Sequence, residues 1–144
     1  MILKTRHTGL VVRDLEKSLK FYEGLGFVLS SRELETGDFI STVVGIENVR
    51  VETAKLKAPD NSMLELLQYH SHPKVADVNK APSNALGCSH VAYTVKDISE
   101  ACERIQELGG SIVNQPAVAP SGKVKVAYCH DLEGVLMEIV EEIS

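Results

Sequence analysis

The sequence predicts an α+β fold made of two tandem βαβββ modules, and two observations support this. The segments from His7 to Phe27 and from His90 to Gly110 match without a gap at a constant offset of 83 residues, the separation of His7 from His90. In both segments, a short apolar run gives way to helical spacing, and further β-type runs follow each segment along the chain. Identical residues in the match are His7 and His90, Val12 and Val95, Asp14 and Asp97, Leu25 and Leu108, and Gly26 and Gly109.

The first module opens with a predicted strand from Lys4 to Val12, followed by a helix. Asp14 is a suitable N-cap, and Leu15, Leu19 and Tyr22 recur at helical spacing. Glycines 24 and 26 end the helix. Strands are then predicted at Phe27–Arg32, extending toward Glu35, at Phe39–Val44 and at Val49–Lys57. After a turn over residues 59–62, a last strand is predicted at Met63–Tyr69.

The second module repeats this order. A strand is predicted from His90 to Val95, and a helix begins after Asp97, with Glu100 placed for a capping box. The helix ends at Gly109-Gly110. Strands are then predicted at Ser111–Asn114, Lys123–Cys129 and Val135–Glu141, with a turn at Asp131–Gly134 before the last of them.

The segment between the modules has no sustained hydrophobic period and contains several Pro, Ser and Asn residues. We therefore expect one domain over residues 1–144, with the first module at 1–69, a linker at 70–87 and the second module at 88–144. This linker is long for a compact domain.

Composition and charge limit the classes of function. The chain has 144 residues, 44% of them hydrophobic and 24% charged, as in ordinary globular proteins. The net charge of -5 and the scattered Lys and Arg residues argue against nucleic acid as a partner. No apolar run is long enough for a membrane span, and the N-terminus has no secretory pattern, so we expect a cytoplasmic protein with no membrane partner. Three cysteines without close spacing are typical of reduced, mostly buried thiols.

Each module carries a histidine at the start of its first strand and a glutamate inside its last one. These are His7 with Glu65 in MLELLQY, and His90 with Glu138 in VLMEIVE. Burying a carboxylate among apolar side chains is costly unless it is paired or bound to a cation. A single such His or Glu is more often structural or solvent-facing, but the same pattern in both modules favours one shared site.

Two imidazoles and two carboxylates suit Ni2+, Co2+, Zn2+, Mn2+ or Fe2+. In an octahedral ion, this set leaves two positions open for water or substrate, which is typical of a catalytic metal rather than a structural one. A neighbouring carboxylate can then act as a base.

The sequence resembles the vicinal oxygen chelate superfamily, which includes glyoxalase I, bleomycin-resistance proteins, methylmalonyl-CoA epimerase, extradiol dioxygenases and fosfomycin-resistance proteins. The resemblance covers nearly the whole chain and is carried by HTGLVV from His7, FYEGLGF from Phe21, LELL around Glu65, HVAYTV from His90 and DLEGVLME ending at Glu138. These motifs are specific for the superfamily but not for one reaction.

The resemblance implies that the paired modules form a curved, partly open mixed β-barrel around a divalent metal ion. By position, His7, Glu65, His90 and Glu138 match the family's metal ligands. Glu138 matches the carboxylate that moves the proton in glyoxalase I-like enzymes, and Glu65 matches a second catalytic carboxylate only loosely. Two departures are Leu132, where the family usually has Pro, and a longer first module, whose extra residues around 33–48 we expect to line or cover the pocket.

The favoured function is a metal-dependent lyase or isomerase of the glyoxalase I type, close to lactoylglutathione lyase. It would remove a proton next to a carbonyl of a thiol adduct and stabilise the enediolate on the metal. Alternatives are a methylmalonyl-CoA epimerase-like enzyme acting on an acyl-CoA, an extradiol-type dioxygenase, and a non-catalytic binder of small molecules. Relatives are commonly dimers, so a homodimer is expected.

Three further histidines are weaker candidates. His70 and His72 follow Glu65 at the start of the polar linker, and an exposed pair is the expected outcome. His130 precedes the Asp131 turn, where a loop position would let it donate to a substrate.

Overall fold

The computed structural model of the chain describes residues 1–75 and 80–144. These residues form an α+β fold with three helices and two mixed sheets, neither of which is closed. Backbone contacts divide the chain into unit 1, Met1–Val75, and unit 2, Ala76–Ser144. The division falls inside the predicted linker at residues 70–87, of which residues 76–79 lie outside the described part.

Unit 1 is a four-stranded sheet with two helices. Its strands lie in the order β1-β4-β3-β2, with β1 parallel to β4 and the other neighbours antiparallel. Its elements in chain order are β1 (Thr8–Val11), α1 (Leu15–Gly24), β2 (Val28–Thr36), α2 (Asp38–Val44), β3 (Arg50–Lys57) and β4 (Met63–Tyr69).

Helix α1 begins and ends where the sequence predicts. The side chain of Asp14 accepts a hydrogen bond from the backbone N–H of Lys17 at 3.1 Å and so caps the first turn. Gly26, with φ of 106°, lets the chain leave the helix in a conformation that other residues adopt only with strain. The buried face of α1 packs against β4, where Leu64 and Leu66 are almost fully buried.

The segment Phe39–Val44 forms helix α2, so the predicted strand is wrong. Its β-branched residues favour a strand locally, but Ile40 and Val44 lie one helical turn apart and pack on a cluster that includes Val51. Gly45 closes the helix in the left-handed conformation, with φ of 72°. Tertiary burial of this apolar stripe outweighs the intrinsic preference of the segment.

Unit 2 has the same strand-helix-sheet order. Its sheet runs β5-β9-β8-β6, with β7 pairing to β8, and β5 is parallel to β9. The elements are β5 (Val91–Val95), α3 (Ile98–Glu107), β6 (Ser111–Ile112), β7 (Ala117–Val118), β8 (Val124–His130) and β9 (Leu136–Glu142).

Helix α3 is capped as predicted. The side chain of Asp97 accepts hydrogen bonds from the backbone N–H groups of Ser99 and Glu100. Its buried stripe, which includes Ile98, Cys102 and Ile105, faces the sheet.

Most strand ends differ from the sequence prediction by a few residues, and three differences affect the description of the site or the sheet. The first strand begins only at Thr8, so His7 directly precedes β1 rather than lying within it. The predicted strand Ser111–Asn114 is reduced to β6, and the short β7 was not predicted. Pro116 and Pro120 flank β7, which explains why the sequence around it has the pattern of a loop.

The predicted turns are confirmed. In the Asp131 turn, one side-chain oxygen of Asp131 accepts hydrogen bonds from the backbone of Glu133 and Val135. This arrangement lets β8 reverse directly into β9 without the usual Pro at position 132. None of the helices in residues 1–75 and 80–144 is both long and apolar enough to cross a membrane.

Candidate functional site

In unit 1, His7 and Glu65 lie side by side on one face of the sheet. Gly9 pairs in register with Glu65, and His7 points to the same face because it lies two residues before Gly9. The Nε2 atom of His7 is 3.7 Å from Oε1 of Glu65, which is too long for a hydrogen bond. The side chain of Glu65 is only 14% exposed, whereas that of His7 is 34% exposed.

A cation lies on the other side of Glu65. Lys55 pairs in register with Glu65 across β3 and β4, so the two side chains share a face. The Nζ atom of Lys55 is 3.9 Å from Oε2 of Glu65. Each carboxylate oxygen of Glu65 therefore has its own neighbour, His7 at Oε1 and Lys55 at Oε2.

Unit 2 brings His90 and Glu138 together in the same way. Ala92 pairs in register with Glu138, and His90 lies two residues before Ala92. The Nε2 atom of His90 is 2.9 Å from Oε2 of Glu138, and both side chains are about one-quarter exposed. The position that corresponds to Lys55 holds Tyr128, whose ring centroid lies 5.1 Å from that of His90.

The hydrogen bonds around His90 favour the tautomer of its ring that carries a proton on Nδ1. The hydroxyl of Ser89 donates to the backbone carbonyl of Ser83 at 2.9 Å, so its oxygen is free to accept from Nδ1–H of His90 at 3.0 Å. In a neutral ring, this leaves Nε2 without a proton. Nε2 and Oε2 of Glu138 are then two acceptors facing each other at 2.9 Å, an arrangement that needs a proton or a metal cation to be stable.

The chemistry of both pairs fits a divalent metal ion. Two ligands at right angles on an ion with bonds of about 2.1 Å lie about 3 Å apart, close to the 2.9 Å separation of His90 and Glu138 and shorter than the 3.7 Å separation of His7 and Glu65. Each pair supplies one imidazole nitrogen and one carboxylate oxygen, the donor types preferred by borderline first-row cations. No group of three or more such side chains is assembled in the residues that the structure describes.

On the face opposite Glu65 or Glu138, each last strand is hydrogen-bonded to the helix of its own unit. Three residues after Glu65, the side chain of Gln68 accepts a hydrogen bond from the backbone N–H of Leu15 at 2.8 Å. Three residues after Glu138, Glu141 accepts one from Ile98 N–H at the same distance. These two hydrogen bonds connect the last strand of each unit to the first turn of its helix. The sequence did not predict them, because they join residues that are distant along the chain.

Helix α2 packs on the same face of the unit 1 sheet as Glu65. Val51, Leu67 and Tyr69 alternate with the residues that face α1, and all three contact the apolar cluster around Ile40. The extra residues predicted to line or cover a pocket therefore lie on the Glu65 face, as a helix.

Two of the other three histidines have polar partners outside the two pairs. His70 is exposed, and its Nε2 is 3.1 Å from Oε1 of Glu52. The guanidinium of Arg32, 2.7 Å from the other oxygen, lowers the pKa of Glu52, so this cluster is an ionic network on the surface. His72 is exposed, as expected.

His130 does not have the predicted loop position. It ends β8, is buried, and its Nε2 is 2.8 Å from the backbone carbonyl of Ala81, to which it donates. The contact fixes the segment around Ala81 to the strand, and the register of β8 with β9 places His130 opposite Leu136, on the same sheet face as Glu138.

Two of the three cysteines are buried where a thiol is a poor nucleophile. All three are free thiols; Cys88 is exposed, whereas Cys102 and Cys129 are buried. Burial raises the pKa of Cys102 and raises that of Cys129 to about 12, which disfavours the reactive thiolate of both.

Comparisons with known proteins agree on one family. The family described as the Glyoxalase/Bleomycin resistance protein/Dioxygenase superfamily matches residues 4–139. A Neisseria meningitidis protein named lactoylglutathione lyase is 32% identical over 144 residues, covering 99% of this chain and 93% of its own. A Synechocystis protein named probable lactoylglutathione lyase is 29% identical over 140 residues, covering 96% and 95%. The crystal structure of a glyoxalase family protein from Bacillus cereus superposes with a TM-score of 0.92 at 31% identity, covering 100% and 97%.

Proposed function

The chain belongs to the Glyoxalase/Bleomycin resistance protein/Dioxygenase superfamily, and on this premise we propose that it is a divalent-metal-dependent lyase of the glyoxalase I type. The relatives named lactoylglutathione lyase support an enzyme. The observation that carries the metal part of the proposal is the 2.9 Å contact between two metal-competent atoms, Nε2 of His90 and Oε2 of Glu138. The corresponding pair of His7 and Glu65 in unit 1 supports the same interpretation.

The proposed metal ligands are His7, Glu65, His90 and Glu138. The ion is one of Ni2+, Co2+, Zn2+, Mn2+ and Fe2+, with one ion per site, because the donor set combines imidazole nitrogen with carboxylate oxygen. When bound, such a cation supplies positive charge that stabilises the negative charge developing on adjacent substrate oxygens. Ser89 orients the imidazole of His90 for this role through the Nδ1 hydrogen bond.

Glu138 is the proposed proton carrier. The substrate is a hemithioacetal, the adduct of a thiol such as glutathione with a 2-oxoaldehyde. The carboxylate takes the proton from the carbon that bears sulfur and hydroxyl, and returns it to the neighbouring former carbonyl carbon. The hydroxyl proton of that carbon passes to the former carbonyl oxygen, so two protons change position, no atom is lost, and the product is the 2-hydroxyacyl thioester. Glu65 is the second carboxylate that such a reaction can use.

The test combines metal binding with a substrate screen. Purified protein is stripped of metal, reloaded separately with each of the five cations, and assayed with a glutathione hemithioacetal, an acyl-CoA epimer and a catechol with O2. We expect thioester formation that requires added metal. Activity on only the acyl-CoA or only the catechol would replace the proposal with the corresponding alternative, and absence of metal binding would favour a non-catalytic binder.

We also propose a cytoplasmic homodimer. Analytical ultracentrifugation of the full chain tests the dimer, for which a monomer at micromolar concentration is the opposing result. A variant in which His7 and Glu65 are replaced is then mixed with one in which His90 and Glu138 are replaced. This mixture tests whether two subunits contribute ligands to the same site. Recovery of activity in the mixture would show that two chains contribute ligands to one site.

A further inference from the structure

The two carboxylates differ in what surrounds them, although they occupy corresponding strand positions. Glu65 lies opposite Lys55 in the β-sheet register, whereas Glu138 lies opposite Tyr128. The duplication that relates the units therefore does not extend to this neighbour. A cation beside one carboxylate and an aromatic ring beside the other make the two chemically unequal.

We propose that Lys55 is a positioning residue that sets the metal affinity of the site at Glu65: its ammonium lies beside Oε2, which turns Oε1 to the metal, and its charge weakens binding of a divalent cation. This inference rests on the proposed function. Both oxygens of Glu65 have a neighbour, since Oε1 faces His7 and Oε2 faces Lys55. In the described part of the chain, Glu138 has a polar partner at Oε2 alone, so Oε1 is available to accept a substrate proton.

Burial strengthens this asymmetry. The side chain of Glu65 is 14% exposed, against 25% for Glu138, so Glu65 has less room to leave a cation and rotate toward a substrate. The ammonium of Lys55 restrains the oxygen that is not beside His7. Glu65 would thus bind metal through Oε1 only, and its second oxygen would stay paired with Lys55.

Lys55 also places a positive charge near a site for a divalent cation. A charge of +1 about 6 Å from a charge of +2 in water changes binding affinity by about tenfold. The ion pair itself is weak, because its atoms are 3.9 Å apart and Lys55 is 44% exposed. Repulsion of the metal therefore outweighs the loss of anchoring when Lys55 is removed.

The experiment measures Ni2+ affinity by chelator competition in Lys55→Met, Lys55→Tyr and Lys55→Arg. We expect about tenfold tighter binding in the first two and wild-type binding in Lys55→Arg, which keeps the charge. Lys57→Met is the matched control, since Lys57 lies two residues along the same strand and pairs with Met63 instead of a glutamate. Its affinity should stay within twofold of wild type.

The Co2+ absorption spectrum supplies a second readout that a purely structural role would not change. In Lys55→Met, release of Oε2 should alter the ligand-field bands, and Lys55→Arg should restore them. Unchanged affinity and an unchanged spectrum in both Lys55→Met and Lys55→Tyr would overturn the role of Lys55. Failure of the proposed function would be seen separately, as absence of metal binding in the wild type.

Discussion

Replacing Glu138 by Gln removes the proposed proton acceptor with little change in shape. The amide can still occupy the space beside His90, where the carboxylate oxygen lies 2.9 Å from Nε2. Loss of a general base typically lowers kcat by 10²- to 10⁴-fold. That range corresponds to about 3 to 5 kcal/mol in the activation barrier. We therefore expect kcat to fall by at least about 100-fold, with KM changed much less.

The assay must separate catalysis from metal loss, since Glu138 is also a proposed ligand. Turnover of the glutathione hemithioacetal is measured at saturating metal, with occupancy determined on the same sample. Glu141→Gln is the matched control, because Glu141 lies on the opposite face of β9 and accepts a hydrogen bond from Ile98 N–H at the start of α3. In unit 1, Gln68 makes the corresponding contact as a neutral amide, so a glutamine should keep it. A fully loaded Glu138→Gln protein with kcat within threefold of wild type would refute the role of Glu138.

Three other predictions test separate parts of the structure. Ser89→Ala should weaken metal binding by about 10- to 100-fold in chelator competition, because His90 loses the partner of Nδ1; unchanged affinity would reject that orientation. Gln68→Leu should lower the free energy of unfolding by about 1 to 3 kcal/mol in urea titration, since Leu15 N–H loses its acceptor. A loss below about 0.5 kcal/mol, half the usual net value of a hydrogen bond, would contradict this contact. In the folded protein one thiol, that of Cys88, should react rapidly with an aromatic disulfide reagent, and the other two only after unfolding; fast reaction of all three would show that they are not buried.

The sequence was sufficient to predict the repeated architecture, because its signals are local and occur twice. Asp14 and Asp97 cap the two helices as predicted, and the last strand of unit 1 has the predicted bounds, Met63–Tyr69. Capping needs only a short polar side chain at the helix start, and a strand with regular alternation is defined by its own residues. Neither depends on contacts that are distant in sequence.

Helix α2 could not be predicted from local preference. Its β-branched residues favour a strand, and the helix exists because Ile40 and Val44 pack on residues of β3 and β4. The flanking glycines, Gly37 and Gly45, were the available signal, since they mark a segment bounded by unusual backbone conformations. Long-range packing overrode a short-range preference.

The pairing of each glutamate with the histidine of its own unit was predictable from the sequence, but the asymmetry between the two pairs was not. Strand parity and the cost of burying a carboxylate pointed to Glu65 and Glu138, and the structure places each beside the histidine of its own unit. Lys55 and Ser89 were not identified, because their roles depend on cross-strand register and on the direction of hydrogen bonds. Neither property can be read from the order of residues alone.

The proposed four-ligand site is tested most directly by loading the chain with Ni2+ and measuring its metal content and metal affinity. The same measurements are made on the His7→Gln and His90→Gln variants. We expect one ion per chain in the wild type, and affinity lowered by at least about tenfold in each variant, because each histidine is one of the four proposed ligands. Two ions per chain, or wild-type affinity in either variant, would contradict a single site made by His7, Glu65, His90 and Glu138.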